Sequence, residues 1–235
     1  MAHARRPGLL ARLRAVAADP NSLRKWCVVA NDGIIATAGI LEGFAGAGAS
    51  HATLVTAATS ATVAGMLSAG GSEWAEAAAE REAQLATAEE EAADIARQPA
   101  VERAELAAHY EAKGLTPELA SEVAGQLMAR DALDVQLESE HGILEVKSHA
   151  DVVRAGVGSA VAYTLGATIP LMITLTVAVT VEAPAILVAA LVSLMVTSVV
   201  GARTGHMSLR RTITRTLVVG ISTMGVSYLV GKLVF

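Results

Sequence analysis

The chain has 235 residues, of which 53% are apolar but only 3% aromatic. Soluble cores of this size use more Phe, Tyr and Trp, whereas an excess of Ala, Val, Leu, Ile and Gly is typical of helices that pack closely in lipid. The net charge of -5 argues against nucleic acid as a partner, and the single cysteine, Cys27, excludes a disulfide or a thiolate cluster within one chain.

The N-terminal segment, residues 1–26, is basic, and Arg12 and Arg14 interrupt its short apolar stretches. A cleavable signal peptide would have an unbroken apolar region, so we expect none here. We interpret the segment as an amphipathic helix on the cytoplasmic membrane surface. A disordered tail is the alternative.

Charge divides the rest of the chain into three blocks. Residues 27–72 contain only two formal charges, Asp32 and Glu42, and residues 152–235 are again apolar. Residues 73–151 contain 19 acidic and 6 basic residues, a net of -13. We predict spans 1 and 2 in residues 27–75, an acidic, cytoplasmic, helical metal-binding domain in 76–150, and spans 3 to 5 in 151–235.

The predicted fold is therefore an all-α integral membrane protein with five spans and a helical insert between spans 2 and 3. A span needs roughly 20 residues to cross about 30 Å of hydrocarbon. The second span is rich in Ala, Thr, Ser and Gly, and we expect it to face other helices and to continue unbroken into the insert. Pro170 predicts a kink in the third span. The spans are placed near 27–48, 52–72, 152–178, 184–202 and 212–233.

The insert has the signals of packed helices rather than those of a disordered acidic tail. Pro99 ends or kinks its first helix, and Lys113-Gly114 is a C-cap signal. Thr116 is a predicted N-cap, with Pro117 in the first helical position. Further helices are predicted near 100–113, 116–130 and 131–141, and the last of them should end at Gly142. Apolar residues recur at every fourth position in part of this segment, and this apolar period comprises Leu115, Leu119, Val123 and Leu127.

Basic residues set the predicted orientation. Lys and Arg precede the first span and lie between spans 4 and 5, whereas the turns at 48–51 and 180–184 carry none. The positive-inside rule then places the N-terminus and the insert in the cytoplasm and the C-terminus outside.

Three residues of the first two spans are candidate ligands. A carboxylate such as Asp32 costs about 2.5–3.5 kcal/mol to insert at a span centre, so such residues usually face a pathway or a partner. Glu42, deeper in the same span, is suited to a proton or a cation. Met66 offers a soft thioether. The alternatives are an interfacial helix cap at Asp32, a snorkelling Glu42 and ordinary packing at Met66.

The insert presents acidic residues at i, i+3, which share a helix face. Oxygen ligands arranged in this way hold a divalent cation where helices converge, although solvated helices also carry such pairs. Glu138 and His141 have the Glu-x-x-His spacing of di-iron bundles, which use two such motifs. The other pairs are Glu91 with Asp94 and Glu102 with Glu105.

No phosphate loop, nucleophile elbow or dinucleotide fingerprint occurs in the sequence. We therefore predict that the protein is not an enzyme and has no tightly bound cofactor.

Several stretches, in order, resemble the vacuolar iron transporter family, the iron/manganese exporters of fungi, plants and bacteria. The similarity covers residues 24–235, and the chain resembles a bacterial member. It implies a homodimer of five-span protomers in the cell membrane, moving Fe2+ or Mn2+ out of the cytoplasm in exchange for protons. The stretches are NDGIIATAGILEGFAGAGA, SAGGSEWAEAAAERE, ELAAHYEAKGLTPELASEVAGQLMARDAL, GSAVAYTLGATIPL and TRTLVVGISTMGVSYLVGKL.

The resemblance also implies roles for individual residues. Asp32 matches the family's pathway aspartate. The second span departs from the family pattern at two positions. The methionine that the family has after Ser68 is absent, and Met66 would substitute for it. The glutamate that some members have near Ala61 is also absent, and Glu42 of the first span would substitute for it. The carboxylates that match metal ligands of the insert are Glu91, Asp94, Glu102, Glu105 and Glu140, with Glu138 assisting.

The functional hypothesis is an exporter of Fe2+ or Mn2+ that serves iron and manganese homeostasis. The alternatives are a membrane-anchored metal sensor or ferritin-like protein without transport, and a scaffold without a metal role.

Overall fold

A computed structural model describes residues 20–177 and 181–234, and these residues are almost entirely helical. The predicted amphipathic segment falls mostly before residue 20, outside the described residues. The helices are α1 (Pro20–Gly46), α2 (His51–Arg97), α3 (Pro99–Ala112), α4 (Pro117–His141), α5 (His149–Thr176), α6 (Glu182–Thr204) and α7 (Leu209–Val234).

Five of these helices, α1, α2, α5, α6 and α7, are long and apolar enough to cross a membrane by length and composition. They correspond to the five predicted spans. Helix α2 has 47 residues, or about 70 Å, so it continues well past the roughly 20 residues that a bilayer needs, as predicted. Helix α5 runs through Pro170 without ending.

The described helices divide into two compact units. The first, here called the membrane unit, comprises the described residues up to Glu73 and from Ala155 onward. Its α1 packs against α6 and α7. Glycine makes close approaches possible, because a Cβ at Gly231 would lie 1.9 Å from the carbonyl oxygen of Gly43. Small residues at such crossings are typical of helices that associate in lipid.

The second unit, here called the insert, comprises Trp74–Arg154. Its helix ends follow the predicted caps. The Thr116 side chain accepts a hydrogen bond from the Leu119 amide at 3.4 Å, with Pro117 in the first turn, and Gly142 ends α4 with a φ of 67°. The predicted boundary near residue 131 is a kink inside α4, where Asp131 leaves helical geometry with a φ of -157°.

One residue of the apolar period lies on the exposed side of its helix. Leu119 is 49% exposed, whereas the next residue, Ala120, is fully buried beside Ala124. The core of the insert joins these alanines to Leu106 and Ala107 of α3. Because α3 and α4 approach through alanines, the buried face of α4 lies one residue, about 100°, away from the larger side chain.

Candidate metal centre

Four of the predicted acidic ligands in the insert converge from three helices. Glu91 lies near the end of α2, Glu102 and Glu105 lie in the first two turns of α3, and Glu140 lies in the last turn of α4. Pro99 ends α2 as predicted and permits the chain to turn directly into α3. The carboxylates of consecutive helices can therefore meet.

The first group consists of Glu91, Glu140 and His141, whose ligand atoms lie within 4.8 Å of one another. The Nε2 of His141 is 3.5 Å from Oε2 of Glu91. Glu91 is only 6% exposed, and its other oxygen, Oε1, is buried without a hydrogen-bond partner among the described residues. A buried carboxylate oxygen of this kind is costly unless a cation or a proton compensates it.

The second group consists of Glu102, Glu105 and Glu140, again with ligand atoms within 4.8 Å. The fully buried Gln136 holds it in place, because its amide nitrogen donates to Oε2 of Glu102 at 2.8 Å and to Oε1 of Glu140 at 3.4 Å. Glu140 thus belongs to both groups. Two oxygen-rich groups that share a carboxylate are suited to hard or borderline divalent cations, and His141 adds a nitrogen ligand to one of them.

Electrostatics in the insert also favour a bound cation. Burial raises the pKa of Glu91, and the neighbouring Glu140 and Glu102 raise it further, whereas His141 opposes the shift. Burial likewise raises the pKa of Glu140, with Glu105 and Glu102 adding to the effect. Like charges held this close repel in the metal-free protein, and a divalent cation removes that repulsion.

The other two predicted insert ligands lie outside both groups. Asp94 forms an ion pair with Arg97 one turn away. Glu138 is exposed and belongs to neither group. Their assignment as ligands stays a prediction.

The membrane-unit candidates are dispersed rather than gathered in one group. Asp32 is exposed on the surface of the single chain, and Met66 is half-buried. Glu42 is 6% exposed, and its Oε1 lacks a hydrogen-bond partner among the described residues. Near Asp32, the neighbouring Asn31 accepts a hydrogen bond from Thr197 and so ties α1 to α6.

Sequence reasoning missed two residues of the insert site, His141 and Gln136. His141 drew attention only through its spacing to Glu138, but it contacts Glu91, which is 50 positions away in the sequence. Adjacent residues such as Glu140 and His141 point about 100° apart on a helix, so no spacing rule joins them as ligands. The only local signal was their position at the α4 C-terminus, just before Gly142.

Comparison with known proteins gives this geometry a family context. The chain is 34% identical over 149 residues to a vacuolar iron transporter of Acanthamoeba castellanii, an alignment that covers 63% of this chain. It covers 54% of the relative, so the chain spans about half the length of the curated relative it matches. The sequence model of the VIT family matches residues 23–232, which include both units. The chain is therefore an integral membrane protein that belongs to the VIT family.

Proposed function

We propose that this protein is a transporter, not an enzyme, that exports Fe2+ or Mn2+ from the cytoplasm in exchange for protons. The observation that carries the proposal is the convergence of two three-ligand groups on Glu140 in the insert. The unpartnered, buried Oε1 of Glu91 supports it, since a bound cation would compensate that oxygen. The name of the Acanthamoeba castellanii relative agrees with iron as a substrate.

In this proposal the insert captures the ion. Its net charge of -13 over residues 73–151 raises the local concentration of divalent cations, and the two groups then bind them. This role assigns residues 76–150 to a cytoplasmic metal-binding domain, with residues 1–26 at the cytoplasmic face and the C-terminus outside. We place the protein in a bacterial cell membrane.

The ion then passes through the membrane unit by way of Asp32, Glu42 and Met66. Asp32 supports this path because it lies within a span yet is exposed on the single chain, where lipid contact would be costly. A carboxylate binds metal well only after losing its proton, so counter-movement of protons follows from the same chemistry.

A second copy of the chain would cover the exposed face of α2. Small residues recur there at every fourth position, and all six are exposed in the single chain. Such a stripe lets two helices approach closely in lipid, which supports a homodimer. The six residues are Ala52, Thr56, Ser60, Ala64, Ser68 and Ser72.

The test is metal uptake into proteoliposomes that contain the purified full-length protein, with Fe2+ and Mn2+ compared under opposed pH gradients. We expect uptake that depends on the gradient and ranks the two metals. Protein that binds metal but produces no uptake under any gradient would contradict the transporter. That result would favour a membrane-anchored metal sensor or ferritin-like protein.

A further inference from the structure

A second set of Glu and His side chains lies in the membrane unit, where α1 ends and where α2 and α6 begin. Glu182 lies in the first turn of α6 and is 2% exposed. Its Oε2 is 3.3 Å from Nδ1 of His51, the first residue of α2. Its Oε1 is buried without a hydrogen-bond partner among the described residues.

Glu42 brings a second unpartnered carboxylate to the same end of the unit. It lines a cavity of about 370 Å³ together with Ala183 and Pro184, the two residues that follow Glu182. Leu41, Leu54 and Ile186 belong to one buried cluster, and each lies beside, or about one turn from, one of the three polar residues. Glu42, His51 and Glu182 are therefore each close in sequence to a member of the same buried apolar cluster, although their three ligand atoms do not converge within 4.8 Å as those of the insert groups do.

Burial of these carboxylates needs compensation that the described residues do not supply. The ion pairs of the described residues include no Lys or Arg with Glu42 or Glu182. The α6 N-terminus favours a negative charge at Glu182, but that effect is limited to the first turn of a helix. A cation bound to Glu182 and His51 would compensate the free oxygen of Glu182, and its charge would also stabilise the neighbouring Glu42 carboxylate.

We propose that Glu182 and His51 bind a second divalent cation, with the Glu42 carboxylate beside this pair, and that the ion leaves the membrane unit through this site. The inference rests on the proposed transport function and extends it to the release step. Under the proposed orientation, this end of the helices is the outer one. Carboxylate oxygens with one imidazole nitrogen are suited to Fe2+, Mn2+ or Co2+, with water completing the coordination.

The arrangement differs from that of the insert in a way that fits release. In the insert three ligand atoms already converge in each group, whereas this end offers one close pair, Glu182 with His51, and a neighbouring carboxylate. Fewer preformed ligands give weaker binding. A site through which an ion passes must bind it weakly enough for the ion to be released.

The test measures Co2+ binding to purified full-length protein by visible absorption, without any flux. The carboxylates of the two insert groups and Asp32 are first removed by the substitutions Glu91→Gln, Glu102→Gln, Glu105→Gln, Glu140→Gln and Asp32→Asn. We expect the protein that carries these substitutions, the background protein, still to bind Co2+ and to give a visible absorption spectrum. A further Glu182→Gln or His51→Gln substitution should weaken the Co2+ binding by about 10-fold or more and change the spectrum. His149→Gln and Glu145→Gln, both at exposed positions in the insert, are the matched controls.

The results separate the two proposals. A Co2+ signal that is absent from the background protein, or that survives unchanged in folded Glu182→Gln and His51→Gln variants, overturns the release site. If Glu182→Gln does not fold, His51→Gln decides, because its side chain is 42% exposed and tolerates the change more readily. A wild-type protein that binds Co2+ here but moves no metal contradicts transport and leaves the site standing.

Discussion

The insert and the membrane unit differ in how their carboxylates are arranged. In the insert, acidic residues from three helices converge until Glu140 belongs to two ligand groups. Among the described residues of the membrane unit, no three carboxylate or imidazole ligand atoms converge in this way, and Glu42 and Glu182 each have one buried oxygen without a hydrogen-bond partner. In the proposed transport cycle, convergent ligands would favour capture of the ion and separated ligands would favour its passage, because each separated ligand would bind the ion only weakly. Substitutions in each unit can therefore separate capture by the insert from passage through the membrane unit.

The largest expected effect concerns Asp32, the exposed carboxylate of the first span. Asp32→Ala should reduce metal uptake into proteoliposomes to the background rate, because Glu42, ten positions away, is the only other acidic residue in residues 27–72. Metal binding by the insert should stay unchanged when measured by calorimetry on the same preparation. Asp32→Glu is the matched control, since it retains the carboxylate, and uptake by Asp32→Ala at the wild-type rate would remove Asp32 from the pathway.

The second prediction concerns Glu140, which the two insert groups share. Glu140→Gln should lower the affinity of the insert for Co2+ by about 10- to 100-fold, more than Glu91→Gln or Glu105→Gln, each of which breaks one group. Isothermal titration of the full-length variants measures the difference. Glu138→Gln is the matched control two residues away and outside both groups, and an equal loss there would mean that the ligand set is wrong.

A smaller effect is expected from His141, which adds the nitrogen ligand. His141→Glu should shift the preference of the insert several-fold from Co2+ and Fe2+ toward Mn2+, because imidazole favours the later metals and oxygen ligands favour Mn2+. Competition between Mn2+ and Co2+ for the full-length protein gives the ratio. An unchanged ratio would show that His141 does not bind the metal.

The smallest predicted effect is on stability in the absence of metal. The raised pKa values of Glu91 and Glu140 mean that the folded insert holds these protons more tightly than the unfolded chain does. Their stabilising contribution is therefore complete below the usual carboxyl pKa near 4.5 and is lost as the pH rises through the raised values.

Urea titration of the metal-free protein, followed by far-UV circular dichroism, checks this sign. Unfolding of the insert should need less urea at pH 7.5 than at pH 5, and Glu91→Gln should flatten the dependence. A midpoint that rises with pH in the metal-free protein would contradict the assignment.

Local signals in the sequence were sufficient for much of the fold. Hydropathy indicated all five spans, and Pro99, the Thr116–Pro117 start of α4 and Gly142 marked helix ends that the structure confirms. Such features depend on a few neighbouring residues, so a single sequence reveals them. Leu119 belongs to the apolar period and yet is exposed, because periodicity alone does not say which side of a helix a partner helix will cover.

The sites were harder to predict because they depend on contacts between distant residues. The contact of His51 with Glu182 joins residues 131 positions apart, and Gln136 reaches Glu102 over 34 positions. The acidic pairs within single helices were visible as spacing, but which of them converge depends on how α2, α3 and α4 pack. Asp94 is an example, since it lies three positions after Glu91 on the same helix and yet forms an ion pair with Arg97.

The most direct test of the division between capture and passage is the dependence of the initial uptake rate on metal concentration in proteoliposomes. Two proteins are compared with wild type, one carrying Glu91→Gln, Glu102→Gln, Glu105→Gln and Glu140→Gln together, and the other carrying Asp32→Asn. Removal of the insert ligands should raise the half-saturating concentration of metal and leave the maximal rate nearly unchanged, whereas Asp32→Asn should abolish the maximal rate. A maximal rate that disappears with the insert ligands and survives Asp32→Asn would contradict the account.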